Sequence, residues 1–471
     1  MKQDYDIVIG LEVHAELNTN TKVFCSCPNS FGNDTNSNCC PICIGLPGAL
    51  PILNKKAVEL TIKAGLCMGC EINDIAVFER KNYFYPDLSK AYQISQLERP
   101  ICIGGGLTLD NGKFVRLNRI HLEEDAGKLI HKNSSVGTLV DYNRGGVPLI
   151  EMVSEPDISS SEEAVEFLNK LRNNLVYAGI AECKMEQGGM RCDVNLSVKK
   201  KGSNELGTRT EMKNLNSFRS VQRAIEYESN RQIELIEQGG RVLQETRKWD
   251  DEKGESFSLR SKESANDYRY FPDPDLLSVK IDVGLVNTLK QELPMLPLER
   301  KALYINEYSL PEYDVEILLS QRAISDFFDE ALKEYNSPKI LANWIMTEVL
   351  KYTNSDQFEM PLKPTELAQV LKMYDKKELS QGNAKALIEK IINEGGEVRE
   401  LAKKYNLIND VSDDAVEDAV RQVIEANPKA KEDYKITPDK VTTFFVGQVM
   451  RATKGKANPD KVKELLNKYL N

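Results

Sequence analysis

Apolar and polar residues alternate from position 5 to position 17, the signature of a strand with one buried face. Ile9, Leu11, Val13, Ala15 and Leu17 fall on one side, and Glu12, His14 and Glu16 on the other. Residues 114–122, 147–153, 190–199 and 208–213 also read as strands. Residues 54–68, 161–178 and 217–238 carry helical spacing. Ser161 with Glu162 and Glu163 marks a helix start, while Gly179 and Gly239-Gly240 mark stops. The strands come in groups and do not alternate strictly with helices. This predicts an α+β fold, with a mixed or antiparallel sheet and flanking helices forming a cradle domain over residues 1–293. Beyond Pro294 and Pro297 the spacing turns helical, over 313–333, 338–351, 383–393, 413–426, 438–452 and 459–469. An all-α domain is expected over 294–405 and a small all-α tail domain over 406–471. The charge-rich stretch 361–382 reads as containing a connection.

Composition narrows the function. The chain has 471 residues and a formal net charge of −10, which excludes a polybasic nucleic-acid coat but leaves room for a local basic patch. No N-terminal signal and no apolar run of about 20 residues is present, so a cytoplasmic protein without a membrane span is expected.

All ten cysteines lie within the first 192 residues. In a reducing compartment that clustering argues against a disulfide framework. Cys25-Ser26-Cys27 is followed by a polar loop and then Cys40-Pro41-Ile42-Cys43, a pair of knuckles whose four thiolates suit one tetrahedral zinc ion. Cys39 is a weaker substitute for Cys40, because its spacing is not that of a knuckle. Cys67 and Cys70 share C-x-x-C spacing, yet sit at a helix end among apolar neighbours and read as packing.

Two of the three histidines stand in acidic phrases. His14 shares a strand face with Glu12 and Glu16, and His121 precedes Glu123, Glu124 and Asp125. Carboxylates and an imidazole on one face are costly to bury unless a cation neutralises them, and a divalent metal serves. A solvated strand face is the plainer explanation. Glu151 sits between apolar strand residues. Arg191, Asp193 and Asn195 share a face, as do Arg209, Glu211 and Lys213. Several polar-lined strands fit one large polar pocket. The stretch from Phe78 to Asp87 interleaves Arg80 and Lys81 with Tyr83, Phe84 and Tyr85, which suits a phosphate beside a planar base. No glycine-rich phosphate loop ending in Lys-Ser or Lys-Thr occurs, so a bound nucleotide needs metal, Arg and Lys to hold its phosphates. No Ser-rich amidase run occurs either.

These phrases carry a resemblance. Ile9-Gly10-Leu11-Glu12-Val13-His14, His121-Leu122-Glu123-Glu124-Asp125-Ala126-Gly127-Lys128 and Ile150-Glu151-Met152-Val153-Ser154-Glu155-Pro156-Asp157 resemble the GatB component of bacterial aspartyl/glutamyl-tRNA amidotransferases. So do Lys213-Asn214-Leu215-Asn216-Ser217, Tyr268-Arg269-Tyr270-Phe271-Pro272 and the tail phrase Val446-Gly447-Gln448-Val449-Met450. The resemblance implies a carbon–nitrogen ligase that uses glutamine as amide donor. ATP phosphorylates the side-chain carboxylate of Glu-tRNA(Gln) and/or Asp-tRNA(Asn), and ammonia from a partner amidase then displaces phosphate. It implies a heterotrimer with the amidase component and a third, small component. Glu12, His14, Glu124 and Glu151 are carried over as the Mg²⁺ site, with Glu123 as the alternative to Glu124. Histidine is an unusual magnesium ligand, which leaves Mn²⁺ or a water-bridged contact open. Lys81, Arg191, Asp193, Glu211 and Lys213 are candidates for phosphate or acyl-end contacts. Cys25, Cys27, Cys40 and Cys43 match zinc-bearing relatives and imply a structural Zn²⁺. The tail is expected to grip the tRNA body through Arg451, Lys454, Lys456, Lys461, Lys463 and Lys468. A non-catalytic tRNA-binding scaffold within the same complex is the alternative.

Overall fold

In the computed structural model of the chain, strand Tyr5–Glu16 runs through the middle of a ten-stranded sheet. The structure describes residues 4–131, 137–261, 265–353, 359–408, 413–434, 438–453, 457 and 459–470. On one side the central strand pairs with Met190–Lys200, followed by Thr210–Leu215, Glu245–Asp250 and Glu255–Ser261. On the other it pairs with Pro148–Ser154, then Phe114–Glu124 and two short edge strands, Cys102–Ile103 and Glu71–Ile72. All pairs in this row are antiparallel except Thr210–Leu215 with Glu245–Asp250, so the sheet is mixed. The fold is α+β.

The alternation in the first strand explains the two faces. Ile9, Leu11, Val13 and Ala15 are buried against the core shared with helices Lys55–Cys67, Ser161–Tyr177 and Phe218–Glu237. Burial of each large aliphatic side chain contributes about 1.5–3 kcal/mol, so a charge at Leu11 would break the seam. The helices begin where side chains cap them. Asn54 accepts from Lys56 N and Ala57 N, Ser160 from Glu163 N, and Ser217 from Ser220 N. Each cap is worth about 1 kcal/mol.

A small sheet of Phe271–Pro272, Glu79–Asn82 and Tyr92–Ser95 belongs to the same unit, Met1–Pro297. Gln96, just past it, accepts from Leu122 N at 3.0 Å, and Gln93 donates to the carbonyl of Glu124 at 2.8 Å. These bonds tie the small sheet to the Phe114–Glu124 strand of the large one.

The second unit, Leu298–Asn471, is helical throughout its described residues. It holds two separate apolar cores, one built from Tyr304 to Ala402 and one from Val416 to Leu466. The single helix expected over 313–333 is two, Glu312–Leu319 and Arg322–Glu334. At the break the Ser320 N–H and hydroxyl both donate to the carbonyl of Ile317, and the Ser325 hydroxyl donates to that of Leu318. The stretch expected to contain a connection holds helix Pro364–Asp375, whose Leu367, Ala368, Val370 and Leu371 are buried. Strands Glu245–Asp250 and Glu255–Ser261 extend the sheet beyond the expected set, and Arg247 and Thr246 are buried there in polar bonds that mask the alternation. No helix among the described residues is long and apolar enough to cross a membrane.

Candidate active site

The polar face of the large sheet collects the chemistry. Pairing register sets Glu12 opposite Asp193 and Val153, and His14 opposite Arg191 and Glu151. The next strand sets His121 opposite Glu151 and Glu123 opposite Leu149. Two carboxylate clusters result, in adjacent positions along the central strand.

The first cluster is His14, Glu123 and Glu151, whose ligand atoms all lie within 4.8 Å of one another. His14 Nε2 is 3.5 Å from Glu151 and 3.7 Å from Glu123. His121 Nε2 sits 3.3 Å from the same Glu151 and 3.6 Å from Glu123. Ser95 Oγ donates to Glu123 at 3.1 Å. Burial works against charge on both imidazoles, but the two carboxylates outweigh it, and both pKa values stand above the ordinary range. Burial likewise pushes Glu123 and Glu151 up, and the imidazoles pull them below the usual carboxylate value. The carboxylates thus favour the protonated form of each ring, and the rings favour the ionised carboxylates. Lys81 adds a further positive charge. Burial opposes it, yet the Tyr270 phenol, Glu123 and Glu151 raise its pKa overall, and its ammonium lies 5.0 Å above the Tyr268 ring.

The second cluster is Glu12, Asp193 and Glu211, again with ligand atoms within 4.8 Å. Lys213 bonds Asp193 at 2.5 Å and Glu211 at 3.1 Å. Asn195 donates to Glu12 at 2.8 Å, and Thr246 to Glu211 at 2.8 Å. Beyond the first cluster a cavity of about 670 Å³ opens, lined by Glu16, Arg144, Arg191, Lys128, Asn29 and Asn216 among others. Arg191 bonds Asp125 at 2.6 Å, and its buried Nε has no hydrogen-bond partner. Burial, with Asp125 nearby, pushes Glu16 up to about 7.

Residues 7–287 match the family model of the GatB/GatE catalytic domain, and residues 326–470 match that of the GatB domain. The chain belongs to the GatB family. It is 51% identical to the B component of the aspartyl/glutamyl-tRNA(Asn/Gln) amidotransferase of Caldicellulosiruptor bescii, over 99% of each chain. It is 47% identical to the protein of that name from Thermoanaerobacter pseudethanolicus and 48% to that from Thermodesulfovibrio yellowstonii, in both cases over 99% of each chain.

In this GatB chain the expected residues do not all meet. Of Glu12, His14, Glu124 and Glu151, the structure joins His14 to Glu151 and sets the other two elsewhere. Glu124 has the opposite strand parity to His121 and Glu123. It closes on Lys90 and accepts from Ile94 N at 3.0 Å. Glu123 takes the place assigned to Glu124. Glu12 joins Asp193 and Glu211, so these two expected phosphate contacts are partners of a carboxylate set. Arg191 lines the large cavity, Lys213 bridges Asp193 and Glu211, and Lys81 faces the first cluster. Arg80 is tied to Asp273 at 2.9 Å and Asp275 at 2.8 Å, a structural pair. Sequence reasoning does not single out His121 as a site residue, although period-two counting from Glu123 points to it.

Cys25, Cys27, Cys40 and Cys43 bring four sulfurs within 4.8 Å of one another. Cys39 stays outside that set, 3.9 Å from the Asn143 side-chain oxygen. Contact with Cys25 draws the Cys43 thiol down to about 4. Cys70 donates to Gly104 O at 2.9 Å within the core, as packing requires.

The tail mixes its charges. Lys468 lies 3.2 Å and Arg421 3.3 Å from Glu417, and Lys461 lies 3.3 Å from Glu464. Lys454 and Lys456 fall outside the described residues.

Proposed function

We propose that the polar face phosphorylates the side-chain carboxylate of Glu-tRNA(Gln) and/or Asp-tRNA(Asn) with ATP, and then converts the acyl phosphate to the amide. A substrate carboxylate oxygen attacks the γ-phosphorus of ATP and ADP leaves. Ammonia, released from glutamine by a partner amidase, then attacks the acyl carbon and phosphate leaves. A third, small component completes the complex. The observation that carries this reading is the pair of carboxylate clusters side by side on one strand face.

In-line phosphoryl transfer needs alignment and charge neutralisation more than covalent help. His14, Glu123 and Glu151, with His121 supporting the carboxylates, would hold one divalent cation, Mg²⁺ or Mn²⁺. Glu12, Asp193 and Glu211 would hold another. The fit rests on hard oxygen donors packed close to one another, with Lys213 bridging two of them. When bound, such ions withdraw charge from phosphoryl oxygens. Lys213 and Lys81 supply fixed positive charge beside the two clusters. Arg191, which lines the large cavity, is placed to receive the acyl end. The four cysteines would hold a structural Zn²⁺ that staples the loop between the knuckles. The helical tail would contact the tRNA body.

A non-catalytic scaffold has no use for six ionisable ligands converging on one face. The test is single-turnover phosphorylation of Glu-tRNA(Gln) by the assembled complex carrying Glu151→Gln. Loss of acyl-phosphate formation with tRNA affinity held within about threefold is expected. Phosphorylation at the unaltered rate would return the protein to the scaffold reading.

A further inference from the structure

Behind the large sheet lies a carboxylate that the chemistry above does not use. Glu228, on helix Phe218–Glu237, is fully buried. One of its oxygens accepts from the Thr210 hydroxyl at 2.8 Å, from Arg231 at 2.7 Å and from Gln232 at 2.9 Å. The other accepts from Arg231 at 2.8 Å and stands 3.5 Å from Arg247 Nε and from the Ser256 hydroxyl. Gln232 also donates to the carbonyl of Leu196 at 3.3 Å. Two side chains of one helix therefore hold strands Met190–Lys200, Thr210–Leu215, Glu245–Asp250 and Glu255–Ser261 together from behind. A buried ion pair is often matched in stability by apolar side chains of like volume, and its best-attested use is to select one register among several.

Register needs selecting here. Strands Thr210–Leu215 and Glu245–Asp250 make the one parallel pair of the row. Pairing shifts at Cys192/Val194 on one side of that pair and at Thr246/Arg247 on the other. Such shifts break the ladder, and a slip of one residue sends a strand's side chains to the opposite face. Thr210 and Glu211 are consecutive and point to opposite faces, the first to Glu228 and the second to the carboxylate cluster. Thr246 and Arg247 divide in the same way, Thr246 donating to Glu211 at 2.8 Å and Arg247 facing Glu228. Each grip behind the sheet is one residue from a group in front of it.

We propose that Glu228 is a positioning residue for the second cluster. By holding Thr210 and Arg247 at once, it sets the register that brings Glu211 to Glu12 and Asp193. The proposal rests on the reading of that cluster as a cation site. Glu228 touches no reacting group and acts only through the strands.

The test is Mn²⁺ binding to the full-length protein, followed by electron paramagnetic resonance, with thermal unfolding measured alongside. The unaltered protein should show two classes of site, and Glu211→Gln identifies the class that belongs to the second cluster. Glu228→Gln should weaken that class about tenfold or more, the scale for losing a group that orients metal ligands. The other class should stay within about twofold. The first cluster stands on strands Tyr5–Glu16, Phe114–Glu124 and Pro148–Ser154, and among the described residues none of these bonds Glu228. Thr210→Val removes a single grip and should weaken the same class in the same direction. It decides alone if Glu228→Gln does not fold. Unaltered second-class affinity in either folded variant overturns the proposal. Equal weakening of both classes, in step with the melting temperature, shows a structural role only and also overturns it. An unaltered protein with no Mn²⁺ class sensitive to Glu211→Gln overturns the cation reading of the second cluster, and the proposal with it.

Discussion

His14 and Glu151 stand directly opposite each other on paired antiparallel strands, with Nε2 and Oε2 3.5 Å apart. His121 meets the same carboxylate from the far side at 3.3 Å. One glutamate thus links the central strand to the third strand of the polar face, and most of the testable chemistry depends on that link.

Glu123 and Glu124 are neighbours with separate jobs. Glu123→Gln should lower acyl-phosphate formation by about 100-fold or more, because charge stabilisation in the reaction is lost. Glu124→Gln should act on folding, since its carboxylate serves Lys90 and the Ile94 N–H. A loss of about 3–5 kcal/mol follows from breaking a largely buried pair. Urea unfolding and single-turnover assays on both variants separate the two effects, and an active, destabilised Glu123→Gln protein would refute the assignment.

Metal binding should depend on pH. The raised pKa values of His14 and His121 mean that a cation entering the first cluster displaces protons. Mn²⁺ affinity, followed by electron paramagnetic resonance, should fall about tenfold per pH unit for each proton displaced, on the acid side of those values. In the metal-free protein the imidazoles contribute stability that is complete below their unfolded pKa and is lost as pH rises through the raised folded value. Glu123 and Glu151, with lowered values, contribute stability above the ordinary glutamate pKa that is lost as pH falls through their folded values. Affinity for Mn²⁺ that is flat from pH 5.5 to 8 (about the imidazole range) would count against the cluster.

One zinc per chain should be found by elemental analysis. Cys40→Ser with Cys43→Ser should abolish it and open the 25–43 segment to protease. The four sulfurs belong to neither carboxylate cluster, so phosphorylation at low temperature should persist, although Asn29 of the same loop lines the large cavity. A zinc-free native protein contradicts the staple.

Removal of residues 411–471 should weaken tRNA binding by about tenfold, the scale of a few phosphate contacts. Glutaminase activity of the assembled complex should be spared. Lys468 and Lys461 have acidic neighbours at 3.2 and 3.3 Å, so their single substitutions should change affinity less than the deletion does. Filter binding at two salt concentrations reads both. Equal affinity after the deletion places the tRNA contact elsewhere.

Much of this was legible in the chain. Alternation over residues 5–17 named both faces of the central strand, because a strand's side chains must point to opposite sides. The knuckle spacing named the four sulfurs that do converge, since short loops leave them few other arrangements. Parity also held the answer to Glu123 against Glu124: His121 and Glu123 are two apart and share a face, and Glu124 cannot join them. The motif match names Glu124, while counting by twos places Glu123 beside His14 and Glu151, where the structure has it.

What local pattern could not decide was partnership. Glu12, His14 and Glu16 share a face by sequence alone, yet each has different company. Register between strands far apart in the chain assigns Asp193 and Glu211 to Glu12, Glu151 and Glu123 to His14, and a cavity with Arg191 to Glu16. Side-chain direction is a property of one strand's geometry and is written in its own residues. Which groups meet across a sheet depends on long-range pairing, set by how the whole apolar face packs, and only the folded chain fixes it.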